Sequence, residues 1–202
     1  MTNEMTIKSG ADQVRELRSD TGAGIMDCKR ALAEAKGDFE AAKQILRKRG
    51  FEIAKKKAGR AANEGQVFSY IHLGGKIGVL VEIDCETDFV ARNTEFREFG
   101  RDVAMQIAAT NPIFVSREDV DPKWLEQEKE IFKSQIKGKP ANMQEQIIQG
   151  KLEKRFEEVC LLDQKFIKNE DMTVQDLLTA LISKIGERIL IRRFRRFEIG
   201  SE

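Results

Sequence analysis

The sequence predicts an α+β fold, in which a helical N-terminal part precedes a core made of a small antiparallel sheet packed with helices. Apolar residues recur at helical spacing up to residue 50. From residue 66 to residue 85 they alternate with a period of two, and a second alternating stretch lies at 187–200. Helical spacing returns between these stretches. This change of period distinguishes strands from helices along the chain.

The composition is that of a chain that can bury a core and has almost no net charge. Of its 202 residues, 41% are hydrophobic and 34% are charged, and the formal net charge is +1. This balance predicts no general attraction to nucleic acid or to an anionic membrane. No run approaches the roughly 18 apolar residues of a membrane helix, and the first residues lack the apolar segment of a secretory signal. Three widely spaced cysteines indicate reduced thiols, so we expect a cytoplasmic protein.

The N-terminal part begins with the pattern of two short helices. Val14 and Leu17 mark the first helix, which the glycines of T-G-A-G (21–24) end. The second helix ends at Gly37, because glycine adopts the left-handed conformation without strain. Its apolar stripe consists of Ile25, Cys28, Leu32 and Ala35.

A third helix completes this part of the chain. Asp38 can cap it, and we expect Gly50 to end it. Three helices of this length must pack on one another to be stable, which predicts a three-helix domain over residues 1–53. The small and basic residues that follow predict a linker over 54–65, in which the lysines at 55–57 form a solvated face.

The stretch 66–85 predicts a β-hairpin followed by a helix. Gly74 and Gly75 suit a two-residue turn between antiparallel strands. The second strand has an apolar face formed by Ile77, Val79, Val81, Ile83 and Cys85. Asn93 or Thr94 can cap the next helix. The apolar stripe of that helix consists of Phe96, Phe99, Val103 and Ile107.

Residues 121–159 predict a helical hairpin. Asp121 and Pro122 form a pair typical of a helix N-terminus, and K-G-K-P (137–140) is expected to turn the chain. A last helix capped by Thr173 precedes the final strand. Together with the β-hairpin, these elements define an α+β core domain over 66–202.

Residue types that catalysis requires are scarce. His72 is the only histidine, and its position in a predicted strand favours an ordinary half-exposed side chain over a general base. The chain has neither a G-x-x-x-x-G-K-[ST] loop nor a G-x-G-x-x-G motif. The sequence therefore predicts neither an enzyme nor a bound cofactor.

Two charged patterns also have simple interpretations. Alternating carboxylates on one side of a strand suggest a Ca²⁺ or Mg²⁺ site, but the turn glycine and distal glutamate of a calcium loop are missing. These carboxylates are Glu82, Asp84, Glu86 and Asp88. Arginines interleaved with phenylalanines suggest a single-stranded nucleic acid, but nearby acids offset them and edge strands often carry charge. They are Arg192, Arg193, Arg195 and Arg196, around Phe194 and Phe197. We expect neither a metal nor direct nucleic-acid binding.

The stretch E-T-D-F-V (86–90) ends the hairpin with acids and places Phe89 in a predicted loop at 86–92. A phenylalanine displayed between a strand and a helix suits burial in a partner protein, which is worth about 1.5–3 kcal/mol. The alternative is that Phe89 folds back over the helix that follows. The residues alone slightly favour that alternative.

Several blocks resemble the elongation factor Ts family in the same order. The stretch 14–50 carries T-G-A-G and M-D-C-K, 56–65 reads K-K-A-G-R-A-A-N-E-G, 87–93 reads T-D-F-V-A-R-N, and 192–200 reads R-R-F-R-R-F-E-I-G. The resemblance spans essentially the whole chain. It is similar to the short bacterial type, which has one core subdomain and no large inserted coiled coil.

The resemblance implies a guanine-nucleotide exchange factor for elongation factor Tu, a GTPase, without a cofactor. In the family, an Asp-Phe loop inserts near the switch and Mg²⁺ region of the GTPase and loosens bound GDP. Carried to this chain, Asp88 and Phe89 are the inserted residues, and Thr87 and Val90 shape their loop.

The same resemblance implies a UBA-like N-terminal domain that grips the GTPase. Arg18, Met26 and Lys29 are its implied contacts. Short members resemble two-fold dimers, so a homodimer is also implied, with the hairpin 121–159 and the C-terminal strand as candidate interfaces.

Two other function classes stay open. A ubiquitin-type adaptor would use only the three-helix part and would leave T-D-F-V without a role. A nucleic-acid-binding module would use the arginine strand and would show a steep dependence of binding on salt.

Overall fold

The computed structural model describes residues 10–136 and 140–201. The helices are α1 (Gly10–Thr21), α2 (Ile25–Glu34), α3 (Phe39–Lys57), α4 (Asp88–Ala91), α5 (Thr94–Thr110), α6 (Pro122–Gln135), α7 (Ala141–Val159) and α8 (Val174–Ile185). The strands are β1 (Glu64–Ile71), β2 (Ile77–Cys85), β3 (Lys165–Phe166), β4 (Asn169–Thr173) and β5 (Ile189–Glu198). Two 3₁₀ turns occupy Arg117–Asp119 and Leu161–Asp163. The predicted α+β class is confirmed.

Helices α1, α2 and α3 pack on one another, as the apolar stripes predict. Their shared core consists of Leu17, Cys28, Ala31, Leu32, Ala42 and Leu46. Gly37 follows α2 with a φ of 87° and donates its N–H to the carbonyl of Leu32 at 2.9 Å. The Asp38 carboxylate accepts the N–H of Ala41 at 2.9 Å and caps α3. Both predicted boundary residues are confirmed.

The prediction that Gly50 ends the third helix is wrong, because α3 continues through it to Lys57. Gly50 is buried, and a Cβ built on it would lie 3.0 Å from the Thr179 methyl group of α8. The missing side chain thus allows two helices to approach closely. As a result, part of the predicted linker 54–65 is helical.

The three longer strands form one sheet in the order β1-β2-β5. Ile199 donates its N–H to the carbonyl of Lys76 at 2.9 Å, and Arg193 pairs with Glu82 at 2.5 Å. Residue numbers therefore fall along β5 as they rise along β2, which makes this pair antiparallel. Four of the five residues of the predicted apolar face of β2 are buried, Val79, Val81, Ile83 and Cys85, and Ile77 at its start is half-buried.

The connection between β1 and β2 differs from the predicted two-residue turn. Five residues, 72–76, join the strands. The N–H of Gly75 donates to the carbonyl of His72 at 2.9 Å, and Gly74 has a φ of 92°. Gly74 therefore occupies the third position of a turn that requires positive φ there. This shift by one residue leaves Leu73 in the turn, 94% exposed.

Helix α5 packs through the predicted stripe, and all four of its residues are buried: Phe96, Phe99, Val103 and Ile107. Of the two candidate caps, Asn93 makes the bond, accepting the N–H of Glu95 at 2.8 Å. The ring of Phe68 from β1 lies directly over Gly100, where a Cβ would approach its carbons at 2.3–2.4 Å. Gly100 therefore makes room for an aromatic ring on the helix surface.

Helices α6 and α7 form the predicted hairpin. Asp121 caps α6 by accepting the N–H of Lys123 at 2.8 Å, with Pro122 as the first helical residue. The Phe114 ring meets Trp124 edge to face at a centroid distance of 5.3 Å. Residues 137–139 of the predicted turn lie outside the described residues. Residues 1–9, where no secretory signal was expected, lie outside them as well.

The two-stranded β3–β4 ribbon was not predicted. Its strands pair antiparallel but are short and largely polar. The buried Gln106 of α5 holds the ribbon by accepting the N–H of Ile167 at 2.9 Å and donating to the Lys165 carbonyl at 3.1 Å. A glutamine within an otherwise apolar helix face is the one sequence signal for this contact.

The chain divides into two compact units. One comprises the described residues up to Gly65 together with Asp84–Phe96 and Asp176–Leu190, and the other comprises Gln66–Ile83, Arg97–Gln175 and the residues from Ile191. The domain layout expected from the sequence stays a prediction. Within residues 10–136 and 140–201, no helix is both long enough and apolar enough to cross a membrane.

Candidate functional site

The stretch T-D-F-V (Thr87–Val90), called here the TDFV segment, begins a single helical turn, α4, where the sequence predicted a loop. Thr87 is the N-cap, with φ −133° and ψ 154°. Its hydroxyl oxygen accepts the N–H of Val90 at 3.4 Å. The capping threonine closes the turn immediately after β2 ends, because a hydroxyl can satisfy one of the free N–H groups of a helix start. The segment is therefore a fixed turn.

The turn separates the two apolar side chains of the segment. Phe89 is 81% exposed, whereas Val90 is only 8% exposed. Asp88 pairs with Arg92 across the turn at 3.0 Å and remains partly exposed. Phe89 thus does not fold back over α5, and the alternative that the residues alone slightly favoured is wrong. Val90 anchors the turn that displays Phe89.

Besides Asp88, two carboxylates of the row along β2 and just beyond it pair with basic groups. Glu82 pairs with Arg193 at 2.5 Å, and Glu86 pairs with Arg60 at 3.3 Å. Within the described part of the chain, no group of three or more metal-binding side chains lies together. Ion pairing therefore accounts for these two carboxylates.

Two groups beside the TDFV segment have shifted pKa values. The pKa of Glu86 is lowered, first because its carboxylate accepts the Arg188 backbone N–H at 2.6 Å and then because of Arg60. Burial raises the pKa of the Cys85 thiol to about 11, and the charge of Glu187 adds to this shift. The Cys85 thiol donates to the Thr87 carbonyl at 3.1 Å. Cys85 is therefore a neutral contact of the segment.

The implied contacts of the N-terminal domain lie on two helices. Arg18 is exposed in the last turn of α1, whereas Met26 and Lys29 are exposed on α2. Met26 is 62% exposed, and its neighbour Ile25 is also exposed. An apolar pair therefore begins α2 directly after T-G-A-G, and the sequence interpretation overlooked it because Ile25 matched the buried stripe.

The other candidate residues have local partners. The His72 ring nitrogen Nδ1 lies 3.1 Å from the hydroxyl of Tyr70, which makes His72 an ordinary surface side chain next to a turn. On β5, Arg193 pairs with Glu82, and Arg196 pairs with Glu198 at 2.6 Å and donates to the Ala108 carbonyl. These ion pairs agree with the interpretation of the arginines as strand-edge charge.

Comparison with known proteins decides the family. The model of the family described as "Elongation factor TS" matches residues 26–201. The chain belongs to the elongation factor Ts family. It is 62% identical over 192 residues to "Elongation factor Ts" of Carboxydothermus hydrogenoformans, covering 94% of this chain and 88% of that protein. It is 57% identical to the protein of the same name from Caldanaerobacter subterraneus, covering 94% and 96%, and 58% identical to that of Geotalea daltonii, covering 94% and 89%.

Family membership covers most of the candidate residues. The matched region includes Met26, Lys29 and the whole TDFV segment, but Arg18 lies before it. Glu187 was missed by the sequence interpretation, although its carboxylate accepts two hydrogen bonds from Thr87. No spacing rule identifies such a partner, since a hundred residues separate the two positions.

Proposed function

We propose that the chain promotes the release of GDP from elongation factor Tu, and that the TDFV segment is the part that acts on the nucleotide site. Membership in the elongation factor Ts family supports the activity. The observation that supports the site is the 81% exposure of Phe89 on a capped turn, next to the buried Val90. A large apolar side chain held away from its own core is available to a partner.

The proposed mechanism is a difference in binding free energy between two states of the GTPase. Transfer of Phe89 into a pocket of the partner contributes about 1.5–3 kcal/mol. This contribution accelerates GDP release only if the pocket is open when GDP is loosely held or absent, because equal affinity for both states shifts nothing. Asp88 lies beside Phe89 and stays partly exposed while it pairs with Arg92, so its carboxylate can repel phosphate groups once the segment docks.

The test is the release of a fluorescent GDP analogue from elongation factor Tu, measured over a range of concentrations of the chain. Phe89→Ala should lower the release rate at saturation by at least about tenfold. Because Phe89 is exposed, the free energy of unfolding of the Phe89→Ala chain should differ from that of the unmodified chain by less than about 0.5 kcal/mol. Leu73→Ala, which also truncates an exposed apolar side chain, is the control and should release GDP at the normal rate. Normal release by Phe89→Ala would reject the site.

For the N-terminal domain, we propose that Arg18, Met26 and Lys29 hold the GTPase without acting on its nucleotide. Lys29→Ala should raise the concentration required for half-maximal release, by about threefold to tenfold for one lost charged contact. The release rate at saturation should stay unchanged. Lys168→Ala, between β3 and β4, removes an exposed lysine outside both candidate interfaces and should change neither quantity. A lower saturating rate for Lys29→Ala would contradict a docking role.

The homodimer and the domain layout are part of the same proposal: a UBA-like domain over 1–53, a linker over 54–65 and a core over 66–202. Of the two candidate interfaces, β5 exposes the larger apolar side chain, since Phe197 is mostly exposed, as is Ile199 directly after the strand. Light scattering should give twice the mass of one chain, and Phe197→Asp should lower the mass to that of one chain. An unchanged mass for Phe197→Asp would exclude β5.

The adaptor alternative has one observation in its favour, the exposed pair Ile25 and Met26 at the start of α2. It predicts binding to a partner with no effect on GDP release. The release assay distinguishes the two functions, since an adaptor would give the same rate with or without the TDFV substitutions.

A further inference from the structure

The segment between α8 and β5 holds the TDFV segment through a pair of hydrogen bonds. One carboxylate oxygen of Glu187 accepts the hydroxyl of Thr87 at 2.8 Å, and the other accepts the backbone N–H of Thr87 at 3.1 Å. Both bonds end on the residue that caps α4. Hydrogen bonds to a charged acceptor are stronger than those between neutral groups.

A second carboxylate makes the reverse connection. Glu86 accepts the backbone N–H of Arg188 at 2.6 Å, and the Arg60 guanidinium steadies the same carboxylate at 3.3 Å. Each of two neighbouring chain segments therefore supplies a carboxylate to a backbone N–H of the other. We call this reciprocal arrangement the clasp, formed by Glu86 and Thr87 on one side and Glu187 and Arg188 on the other.

The clasp continues the contact between two paired strands. Strands β2 and β5 are neighbours in the sheet, β2 ends at Cys85 and β5 begins at Ile189. The ladder of backbone bonds is thus replaced by side-chain acceptors just beyond both strand ends. Backbone N–H groups at a strand end need an acceptor, and here carboxylates provide it.

The end of α8 determines where Glu187 lies. Gly186 follows the helix with a φ of 81° and donates its N–H to the Ile182 carbonyl at 2.8 Å. Residues other than glycine rarely adopt this conformation, because their Cβ is crowded by the backbone. The helix therefore stops at a defined residue, and the next side chain points at Thr87.

The consequence concerns the orientation of Phe89. Thr87 Oγ1 donates to Glu187 and accepts the N–H of Val90, so one hydroxyl connects the clasp to the turn. Without Glu187, the Thr87 hydroxyl can rotate, and the backbone N–H of Thr87 loses its acceptor. If the turn must become ordered during binding, the cost of ordering lowers the affinity for the partner or the exchange rate.

We infer that Glu187 is a positioning residue for nucleotide exchange, which acts through Thr87 to hold α4 in the orientation that presents Asp88 and Phe89. This inference rests on the proposed exchange function. It assigns to Glu187 no contact with nucleotide or with the GTPase pocket. It adds to the site a residue that lies a hundred positions from Thr87 in the sequence.

The kinetic experiment compares Glu187→Ala and Glu187→Gln with the unmodified chain in the GDP-release assay. Loss of two bonds to a charged acceptor should lower the saturating rate by at least about tenfold in Glu187→Ala. The concentration for half-maximal release should change less than the rate, because docking through α1 and α2 is retained. Glu187→Gln keeps one acceptor oxygen, so its saturating rate should lie between those of the unmodified chain and Glu187→Ala. Glu170→Gln, the same change on an exposed glutamate of β4, is the matched control.

Amide hydrogen exchange of the free chain supplies a readout that needs no partner. In Glu187→Ala, the protection factors of the Thr87 and Val90 amides should fall by at least about tenfold. The protection factor of the Ile83 amide in β2 should stay unchanged. If Ile83 also loses protection in Glu187→Ala, the same two readouts are taken from Glu187→Gln, which retains the side-chain volume. Unchanged protection of Thr87 and Val90 would overturn the inference.

The two assays separate the inference from the function on which it rests. If the unmodified chain does not accelerate GDP release, the proposed function fails. If it does and Glu187→Ala reaches the same saturating rate, only the positioning role of Glu187 fails.

Discussion

Phe89 and Val90 are adjacent apolar residues with opposite environments. The single turn of α4 points one into solvent and the other into the protein, so that Val90 is 8% exposed and Phe89 81%. Consecutive residues on a helix diverge by about 100°, which is enough to separate an anchor from a displayed side chain. A one-residue shift of this turn would either bury Phe89 or expose Val90. The capping bond of Thr87 is therefore as important for display as the identity of Phe89.

The buried thiols predict a dependence of stability on alkaline pH. Burial raises the pKa of Cys85 and Cys160 to about 11, from 9.0 for an exposed thiol. The unfolded chain therefore releases protons at a lower pH than the folded chain. The free energy of unfolding should fall as pH rises from about 9 to 11, by up to about 1.4 kcal/mol per pH unit for each thiol.

Urea denaturation across this pH range measures the effect. Lysine and tyrosine side chains also titrate there, so the comparison is with Cys85→Ala, which shares them. The substituted chain should lose stability less steeply with pH. Equal slopes for the two chains would mean that the Cys85 thiol does not gain its high pKa from folding.

At the scale of elements, helix α5 and strand β1 pack closely where Gly100 has no side chain. The Phe68 ring occupies the space where Gly100 would carry a Cβ, with its carbons 2.3–2.4 Å from that position. Glycine inside a helix is unfavourable by about 1 kcal/mol relative to alanine. The packing of an aromatic ring against the helix backbone offsets this cost. The same balance does not hold at Gly150 in α7, where no atom lies within 4 Å of a built Cβ.

These two glycines make a matched pair of substitutions. Gly150→Ala should raise the free energy of unfolding by about 1 kcal/mol, since it gains only helix propensity. Gly100→Ala should lower it by about 1–3 kcal/mol, because the methyl group forces the Phe68 ring to move. Urea denaturation of both chains measures the difference. If Gly100→Ala is stabilised as much as Gly150→Ala, Phe68 does not pack on α5.

For the whole molecule, exchange activity is a coupling between two ligands of one GTPase. A chain that weakens GDP binding by some factor must itself bind the GDP form more weakly by the same factor. Docking contacts such as the one proposed for Lys29 contribute to both states alike, whereas the TDFV segment is proposed to favour one. The two classes of residue therefore differ in which equilibrium they change.

Calorimetry with nucleotide-free and GDP-bound elongation factor Tu tests this difference. The unmodified chain should bind the nucleotide-free form at least about tenfold more tightly. Phe89→Ala should bring the ratio of the two dissociation constants closer to one. Lys29→Ala should weaken both and leave the ratio unchanged. A ratio that Lys29→Ala alters and Phe89→Ala preserves would reverse the assigned roles.

The sequence by itself determined the longer elements and several of their ends. Periodicity separated helices from strands, because the spacing of apolar side chains follows directly from backbone geometry. Asp38 and Asp121 identified two helix starts, because a capping carboxylate bonds to an N–H only two or three residues away. The T-D-F-V block located the candidate site as a short local pattern.

Only the tertiary structure decided what depends on residues distant in sequence. Gly50 has the pattern of a helix end, yet α3 passes through it because α8 lies against that point. The exposure of Phe89 follows from the orientation of α4, which Glu187 holds from the far end of the chain. Close approach and hydrogen bonding between remote segments depend on the folded path of the backbone. Local pattern therefore predicts where the connecting segment lies, and the folded structure decides that it forms a turn and where that turn points.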